Sequence, residues 1–149
     1  MPTYRTATEA DTIALGERLG REIGRGVVLL IGNLGAGKTT LAKGLAQGLG
    51  AAPADEVSSP TFTLIHEFGA GRVYHIDLYR LDTPAQVATL GLDEIFDRDA
   101  LVLIEWGERF PQLMPPDAIR IHLTAQGDDR TIEMNTGSLP ADASTNSRL

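Results

Sequence analysis

The chain contains no cysteine, which excludes disulfides, thiolate zinc sites and cysteine nucleophiles. It also has no apolar run near the ~20 residues that a membrane-spanning helix needs, and its first residues do not form the apolar core of a signal peptide. No internal repeat is present, and 149 residues with 42% hydrophobic side chains are typical of one folded domain. We therefore expect a cytoplasmic protein without membrane contact.

Basic residues are in the minority. The 13 lysines and arginines face 20 aspartates and glutamates, so the net charge is −7. Binding to a phosphate backbone requires a concentrated cationic surface. We therefore expect no tight binding to tRNA or other nucleic acid by the chain alone, and any role on RNA would need a second, more basic protein.

The hydrophobic pattern predicts alternating strands and helices. A helix over 9–23, a buried strand over 26–31, a glycine loop over 32–37 and a helix over 38–49 come first. Two strands at 61–68 and 72–79, joined by a glycine turn, predict an antiparallel hairpin. Short helices within 84–96 and strands at 101–104, 118–124 and 130–134 follow. We expect a single domain over 1–136 and a flexible tail over 137–149, where no periodicity remains.

A phosphate-binding motif occupies the glycine loop. Residues 32–39 match GxxxxGK[ST] in full, after a predicted strand and before a predicted helix. Its glycines allow successive backbone N–H groups to surround phosphate oxygens at a helix N-terminus. The positive charge of the lysine attracts the β and γ phosphates. One threonine hydroxyl can bind magnesium, and the next can donate a hydrogen bond to the α-phosphate. The predicted nucleotide-binding residues are Gly32, Gly35, Ala36, Gly37, Lys38, Thr39 and Thr40.

Two acidic residues are candidates for the acid that a P-loop enzyme needs on a neighbouring strand. Glu105 follows four apolar residues at the carboxyl end of a predicted strand, where phosphates bind in such sheets. Asp77 shares a strand face with Val73 and His75. Each could instead be an ordinary strand-end carboxylate. A structural role is expected for the three histidines, because they do not form a metal pair.

The class of P-loop protein follows from missing motifs. The chain has no Asn-Lys pair for guanine and no aspartate followed three residues later by glycine, so ATP is favoured over GTP. The length is too short for a transport ATPase or a hexameric motor. A small-molecule kinase and a compact regulatory ATPase remain.

Four blocks together resemble the TsaE family of bacterial ATPases. They are GNLGAGKTT at 32–40, SPTFTL at 59–64, HIDLYR at 75–80 and LIEW at 103–106, and the similarity extends over roughly 9–134. The resemblance implies an α/β fold of the three-layer P-loop NTPase type, with a mixed sheet that includes the antiparallel hairpin. It further implies ATP hydrolysis with Mg2+, in concert with TsaD-like and TsaB-like proteins that form N6-threonylcarbamoyladenosine next to the anticodon of tRNA.

The resemblance also assigns roles to individual residues. Thr39 and Glu105 match the magnesium ligands, and Asp77 matches a second acid required for turnover. Lys38, from the phosphate-binding motif, is a further candidate catalytic residue. Thr61 falls in a loop that resembles a switch sensing the γ-phosphate. Arg130 and Glu9 match positions near the nucleotide, although a surface arginine and a first-turn helix glutamate are common for other reasons.

The leading hypothesis is therefore an ATP-hydrolysing accessory subunit in tRNA modification. The alternative is a small-molecule kinase that transfers the ATP γ-phosphate to a metabolite, but the sequence offers no arginine-rich lid for a second substrate. A third candidate is a nucleotide-dependent binding module with negligible hydrolysis.

Overall fold

The chain folds around one mixed β-sheet. The structure is a computed structural model and describes residues 2–33, 35–51 and 64–136. Thr61 and the tail over 137–149 lie outside these residues. The described strands are β1 Thr3–Thr6, β2 Gly26–Ile31, β3 Ile65–Phe68, β4 Val73–Asp77, β5 Leu101–Glu105, β6 Ile119–Gln126 and β7 Asp129–Asn135. The described helices are α1 Glu9–Ile23, α2 Lys38–Gly48, α3 Pro84–Ala88 and α4 Leu92–Phe96, with 3-10 turns at Gly107–Arg109 and Pro111–Leu113.

The strand order is β1-β7-β6-β2-β5-β4-β3. Strand β2 is parallel to β5 and β6, and β4 is parallel to β5. The pairs β3–β4, β6–β7 and β1–β7 are antiparallel. Parallel strands are covered on both faces, which explains why β2 and β5 are almost continuously apolar. The predicted α/β fold, with its mixed sheet and antiparallel hairpin, is confirmed.

Two hydrophobic clusters give the fold its three layers. On one face of the sheet, Leu19 of α1 and Leu41 and Leu45 of α2 pack on Leu30 and Leu103. On the other face, the side chains of α3, α4 and the following turns cover the sheet, contributing Val87, Leu92, Ile95, Phe110 and Met114. The helices before and after the P-loop therefore lie on the same side of the sheet.

Glycines hold α1 and α2 in backbone contact. A Cβ added at Gly16 would lie 2.7 Å from the Leu41 carbonyl oxygen, and one at Gly44 would overlap the Ile13 carbonyl oxygen. Gly20 and Gly48 have equally close contacts with the opposite helix. Close approach of two backbones requires the absence of side chains at the crossing. This contact fixes the P-loop helix against the N-terminal helix.

The structure adds one strand that the pattern did not predict. Strand β1 is a short edge strand paired with β7, where Tyr4 lies opposite Ile132. The hairpin strand predicted over 72–79 is shorter in the structure, because β4 ends at Asp77. Within the described ranges, no helix combines the length and apolarity that crossing a membrane requires.

Candidate nucleotide-binding site

The phosphate-binding loop connects the central strand β2 to α2. Gly35 and Gly37 have φ angles of 80° and 101°, a region that glycine enters without steric cost. Gly37 is the residue before the first turn of α2, and no side chain caps that turn. Gly32 approaches β6 so closely that a Cβ would lie 2.7 Å from the Leu123 carbonyl oxygen, and Ala36 donates its N–H to Asn33. The helix begins with backbone donors available to an anion.

Lys38 has a buried ammonium group without a hydrogen-bond partner. The residue is 5% exposed, and its Nζ makes no hydrogen bond within the described part of the chain. Burial lowers the pKa of Lys38 below its ordinary value, and the negative charges of Glu105, Glu108 and Asp77 offset part of that effect. A buried cation without a hydrogen bond is costly, so this position favours an anionic ligand.

Trp106 provides the surface on which Lys38 rests. The Nζ atom lies 3.6 Å from the centre of the indole ring, a cation–π geometry. Trp106 has a φ angle of 68°, which is uncommon for an aromatic residue and is typical of strained positions near functional sites. Tyr79 also lies beside Trp106, with its ring centre 5.2 Å from that of the indole. The turn after β5 therefore directs an aromatic ring at the P-loop lysine.

Glu105 meets the P-loop through Thr39. The hydroxyl of Thr39 donates a hydrogen bond of 3.1 Å to Oε2 of Glu105, which is 3% exposed. The sheet register causes this contact, since Glu105 is paired with Leu30 near the end of β2. A threonine that gives its proton to a carboxylate keeps oxygen lone pairs for a cation. Thr39 and Glu105 are therefore in direct contact, as two ligands of one magnesium ion need to be.

Asp77 lies beside Glu105 on the adjacent strand. The two residues are partners in the parallel β4–β5 register, so their side chains emerge on the same face of the sheet. The backbone N–H of Tyr79 donates a hydrogen bond of 2.9 Å to Oδ1 of Asp77. The two predicted acids thus share one edge of the sheet with the start of α2.

A cavity of about 550 Å3 lies over the P-loop, a size typical of small-molecule sites. Its lining includes nine predicted site residues: Glu9, Gly35, Gly37, Lys38, Thr39, Thr40, Asp77, Glu105 and Arg130. Leu64, Tyr79, Arg80 and Trp106 also line it. Gly32 and Ala36 contribute to the shape of the loop, and the predicted sensor Thr61 lies outside the described residues.

Arg130 joins the P-loop to the β6–β7 turn. Its guanidinium donates to the carbonyl oxygens of Gly127 and Asp129 at 2.7 and 2.9 Å, and to that of Gly35 at 3.4 Å. Glu9 is the first residue of α1 and lines the same cavity. These contacts bring two sequence-distant residues next to the phosphate loop.

Two further residues escaped the sequence-based prediction of the site. His75 was expected to be structural, yet its Nε2 lies 2.6 Å from Oε2 of Glu105. Glu108 has a buried Oε1 that forms no hydrogen bond over residues 2–33, 35–51 and 64–136, and it contributes negative charge to the surroundings of Lys38. Strand alternation already placed His75 on the face of Asp77, but the neighbouring strand could not be identified from the sequence alone.

The donor set suits magnesium better than zinc. Across the part of the chain that the structure describes, no group of three or more His, Cys, Asp or Glu side chains could hold a metal. Magnesium is usually bound by one or two protein oxygens together with substrate phosphates and water. Thr39 and Glu105 supply such oxygens next to the phosphate loop. These residues fit a Mg2+ ion that arrives with a nucleotide.

Comparison with known proteins identifies the family. Residues 6–132 match the family model of "Threonylcarbamoyl adenosine biosynthesis protein TsaE". The chain belongs to the TsaE family. The TsaE proteins named "tRNA threonylcarbamoyladenosine biosynthesis protein TsaE" include one from Haemophilus influenzae, 42% identical over 72% of this chain and 68% of its own length. The TsaE protein of a Nostoc species is 44% identical over 83% of this chain and 77% of its own length.

A solved structure shares the fold of this chain. The crystal structure of Bacillus subtilis YdiB superimposes with a TM-score of 0.72 and 32% sequence identity, covering 91% of this chain and 86% of that one. The TsaE protein of Bacillus subtilis is 38% identical over 85% of this chain and 79% of its own length. The candidate site described above therefore lies in the fold of a TsaE family member.

Proposed function

We propose that this protein binds Mg·ATP and hydrolyses it as an accessory subunit of the machinery that forms N6-threonylcarbamoyladenosine in tRNA. Membership of the TsaE family and the names of its relatives support the pathway. TsaD-like and TsaB-like proteins are the proposed partners. The net charge of −7 supports a division of labour in which a partner, and not this chain, holds the tRNA.

The observation that carries the ATPase proposal is the contact between the P-loop and the strand-end acid. Thr39 donates to Glu105 at 3.1 Å, directly beside a lysine whose buried ammonium has no hydrogen-bond partner. Polyphosphate would supply the missing anion for Lys38, and the backbone donors at the start of α2 would hold its oxygens. Thr39 and Glu105 would hold Mg2+, which neutralises charge on the phosphates when bound.

Asp77 is the proposed residue for turnover. It lines the cavity on the strand next to Glu105, and a carboxylate there can orient a water molecule and accept its proton. Thr61 remains the proposed sensor of the γ-phosphate, on the strength of the SPTFTL block alone. Arg130 and Glu9 are proposed to contact the nucleotide from the cavity wall, which both residues line.

The proposal is tested by measuring phosphate release from ATP with the purified protein alone and with its TsaD-like and TsaB-like partners. Release should be magnesium-dependent, should change when the partners are added, and should disappear in Lys38→Ala. Modified adenosine should form in tRNA only when the complete set is present. A panel of small-molecule phosphoryl acceptors provides the decisive counter-test, because stoichiometric transfer to one of them would replace the ATPase proposal by a kinase.

A further inference from the structure

A buried histidine contacts the carboxylate that is proposed to hold magnesium. His75 is 0% exposed and lies in β4 between the apolar residues Tyr74 and Ile76. Its Nε2 is 2.6 Å from Oε2 of Glu105, which comes from the neighbouring strand β5. Burying an imidazole in a strand costs more than burying valine or isoleucine unless its polar atoms are hydrogen-bonded. The contact with Glu105 is the compensating interaction.

The contact with Glu105 determines which atom of the ring donates a hydrogen bond. An ionised carboxylate can only accept hydrogen bonds, so Nε2 of His75 must carry a proton. The opposite nitrogen, Nδ1, is buried and has no hydrogen-bond partner among the residues that the structure describes. His75 therefore acts as a donor aimed at Glu105.

Both hydrogen bonds to Glu105 end on the same oxygen. Thr39 Oγ1 and His75 Nε2 each donate to Oε2, at 3.1 and 2.6 Å. Among the described residues, none donates a hydrogen bond to Oε1. Glu105 also lines the cavity over the P-loop. Two donors from different directions fix the rotation of a carboxylate group more tightly than one. Oε1 is therefore the carboxylate oxygen of Glu105 that neither Thr39 nor His75 occupies.

We propose that His75 is a positioning residue, which orients the carboxylate of Glu105 toward the magnesium ion of Mg·ATP. The inference rests on the proposed function, because it presupposes that a nucleotide-bound cation occupies the cavity. A group that forms a hydrogen bond with a metal ligand fixes the orientation of that ligand. Replacing such a group commonly lowers metal affinity about 10- to 100-fold. A purely structural histidine would affect folding without altering the magnesium dependence of nucleotide binding.

Three substitutions separate orientation from packing. His75→Leu removes the donor and keeps an apolar side chain of useful size in the core. His75→Gln retains an N–H near the position of Nε2, whereas the shorter side chain of His75→Asn does not reach Glu105. The affinity of each folded variant for ADP is measured by calorimetry over a series of Mg2+ concentrations, and again with EDTA present.

We expect His75→Leu and His75→Asn to require roughly ten times more Mg2+ than the parent for the same ADP affinity. Their affinity for ADP in EDTA should equal that of the parent, and His75→Gln should recover most of the magnesium response. Equal magnesium dependence in parent and His75→Leu would overturn the proposal. If His75→Leu does not fold, equal magnesium dependence in His75→Gln and His75→Asn would overturn it.

The parent protein distinguishes this proposal from the function on which it rests. If the parent binds ADP without any effect of Mg2+, the proposed Mg·ATP site itself is wrong. If the parent responds to Mg2+ and His75→Leu responds identically, only the positioning role is wrong. Nitrogen-15 chemical shifts of His75 add a readout independent of affinity: Nε2 should carry a proton without ligand, and its resonance should move when Mg·ADP is added.

Discussion

The ammonium of Lys38 lies 3.6 Å from the ring centre of Trp106, which is the sole tryptophan in the chain. Phosphates that enter the cavity would compete with the ring for this cation. Trp106 emission should therefore change when Mg·ADP or Mg·ATP is added, because the charge over the indole ring changes. GTP at the same concentration should have a smaller effect, since the chain lacks a guanine motif.

Lys38→Met provides the control for this fluorescence response. Met fills a similar volume but carries no charge, so the emission change on adding nucleotide should be largely lost. Thermal unfolding gives a second measurement of nucleotide binding. A ligand at 100 times its dissociation constant adds about 2.7 kcal/mol to the free energy of unfolding. An unaltered emission change in Lys38→Met would show that the lysine does not transmit binding to the tryptophan.

The same substitution should stabilise the protein without nucleotide. Burial lowers the pKa of Lys38 below 10.5, so the folded state disfavours the charged form. At neutral pH Lys38→Met should raise the melting temperature by a few degrees, since about 1 kcal/mol corresponds to roughly 4 °C at this size. The matched control is Lys43→Met, at a less buried position of the same helix.

The pH dependence of this stabilisation has a defined sign. Between the lowered pKa of Lys38 and 10.5, the unfolded state binds more protons than the folded state. The free energy of unfolding of the parent protein therefore rises with pH in that window. The advantage of Lys38→Met should be greatest at neutral pH and shrink toward pH 10 in thermal melts. An advantage that grows with pH would contradict the assignment of a buried, charged lysine.

Glu105→Gln and Asp77→Asn should separate the metal ligand from the residue for turnover. Both variants should lose most phosphate release. Glu105→Gln should in addition weaken the Mg2+ dependence of ADP binding, because an amide lacks the anionic charge that attracts the ion. Titration of Mg2+ against both variants checks this expectation. Loss of the metal response in Asp77→Asn alone would exchange the two roles.

Gly44→Ala should destabilise the protein despite the better helix propensity of alanine. The propensity term favours alanine by about 1 kcal/mol. The added Cβ, however, would overlap the Ile13 carbonyl oxygen of α1, and overpacking commonly costs about 1–3 kcal/mol or more. Urea unfolding should show a lower midpoint. Ala14→Gly, at an exposed position in the interior of α1, measures helix propensity alone. A rise in stability for Gly44→Ala would contradict the close helix contact.

Local signals in the sequence predicted the centre of this protein well. The GxxxxGK[ST] spacing gave the loop between β2 and α2, and apolar periodicity gave α1 with its observed bounds. Strand β1 was missed because the short polar segment Thr3–Thr6 has no apolar alternation and is paired only through distant β7. The contact of His75 with Glu105 depends on β4 and β5 being neighbours in the sheet. A local sequence pattern does not show which strands are paired.

The central position of β2 has a consequence for how the chain reaches its native state. Gly26 pairs with Leu101 of β5, and Val28 pairs with Ile119 of β6, so both neighbours of β2 are distant in sequence. Contacts of such separation slow folding, because a long loop must close before they form. During synthesis the phosphate-binding loop emerges long before the strands that brace it. Until β5 and β6 have left the ribosome, the apolar strand β2 lacks both of its neighbours in the sheet. Unpaired apolar strands promote aggregation, so this stage of synthesis is the one at which the chain is most exposed to it.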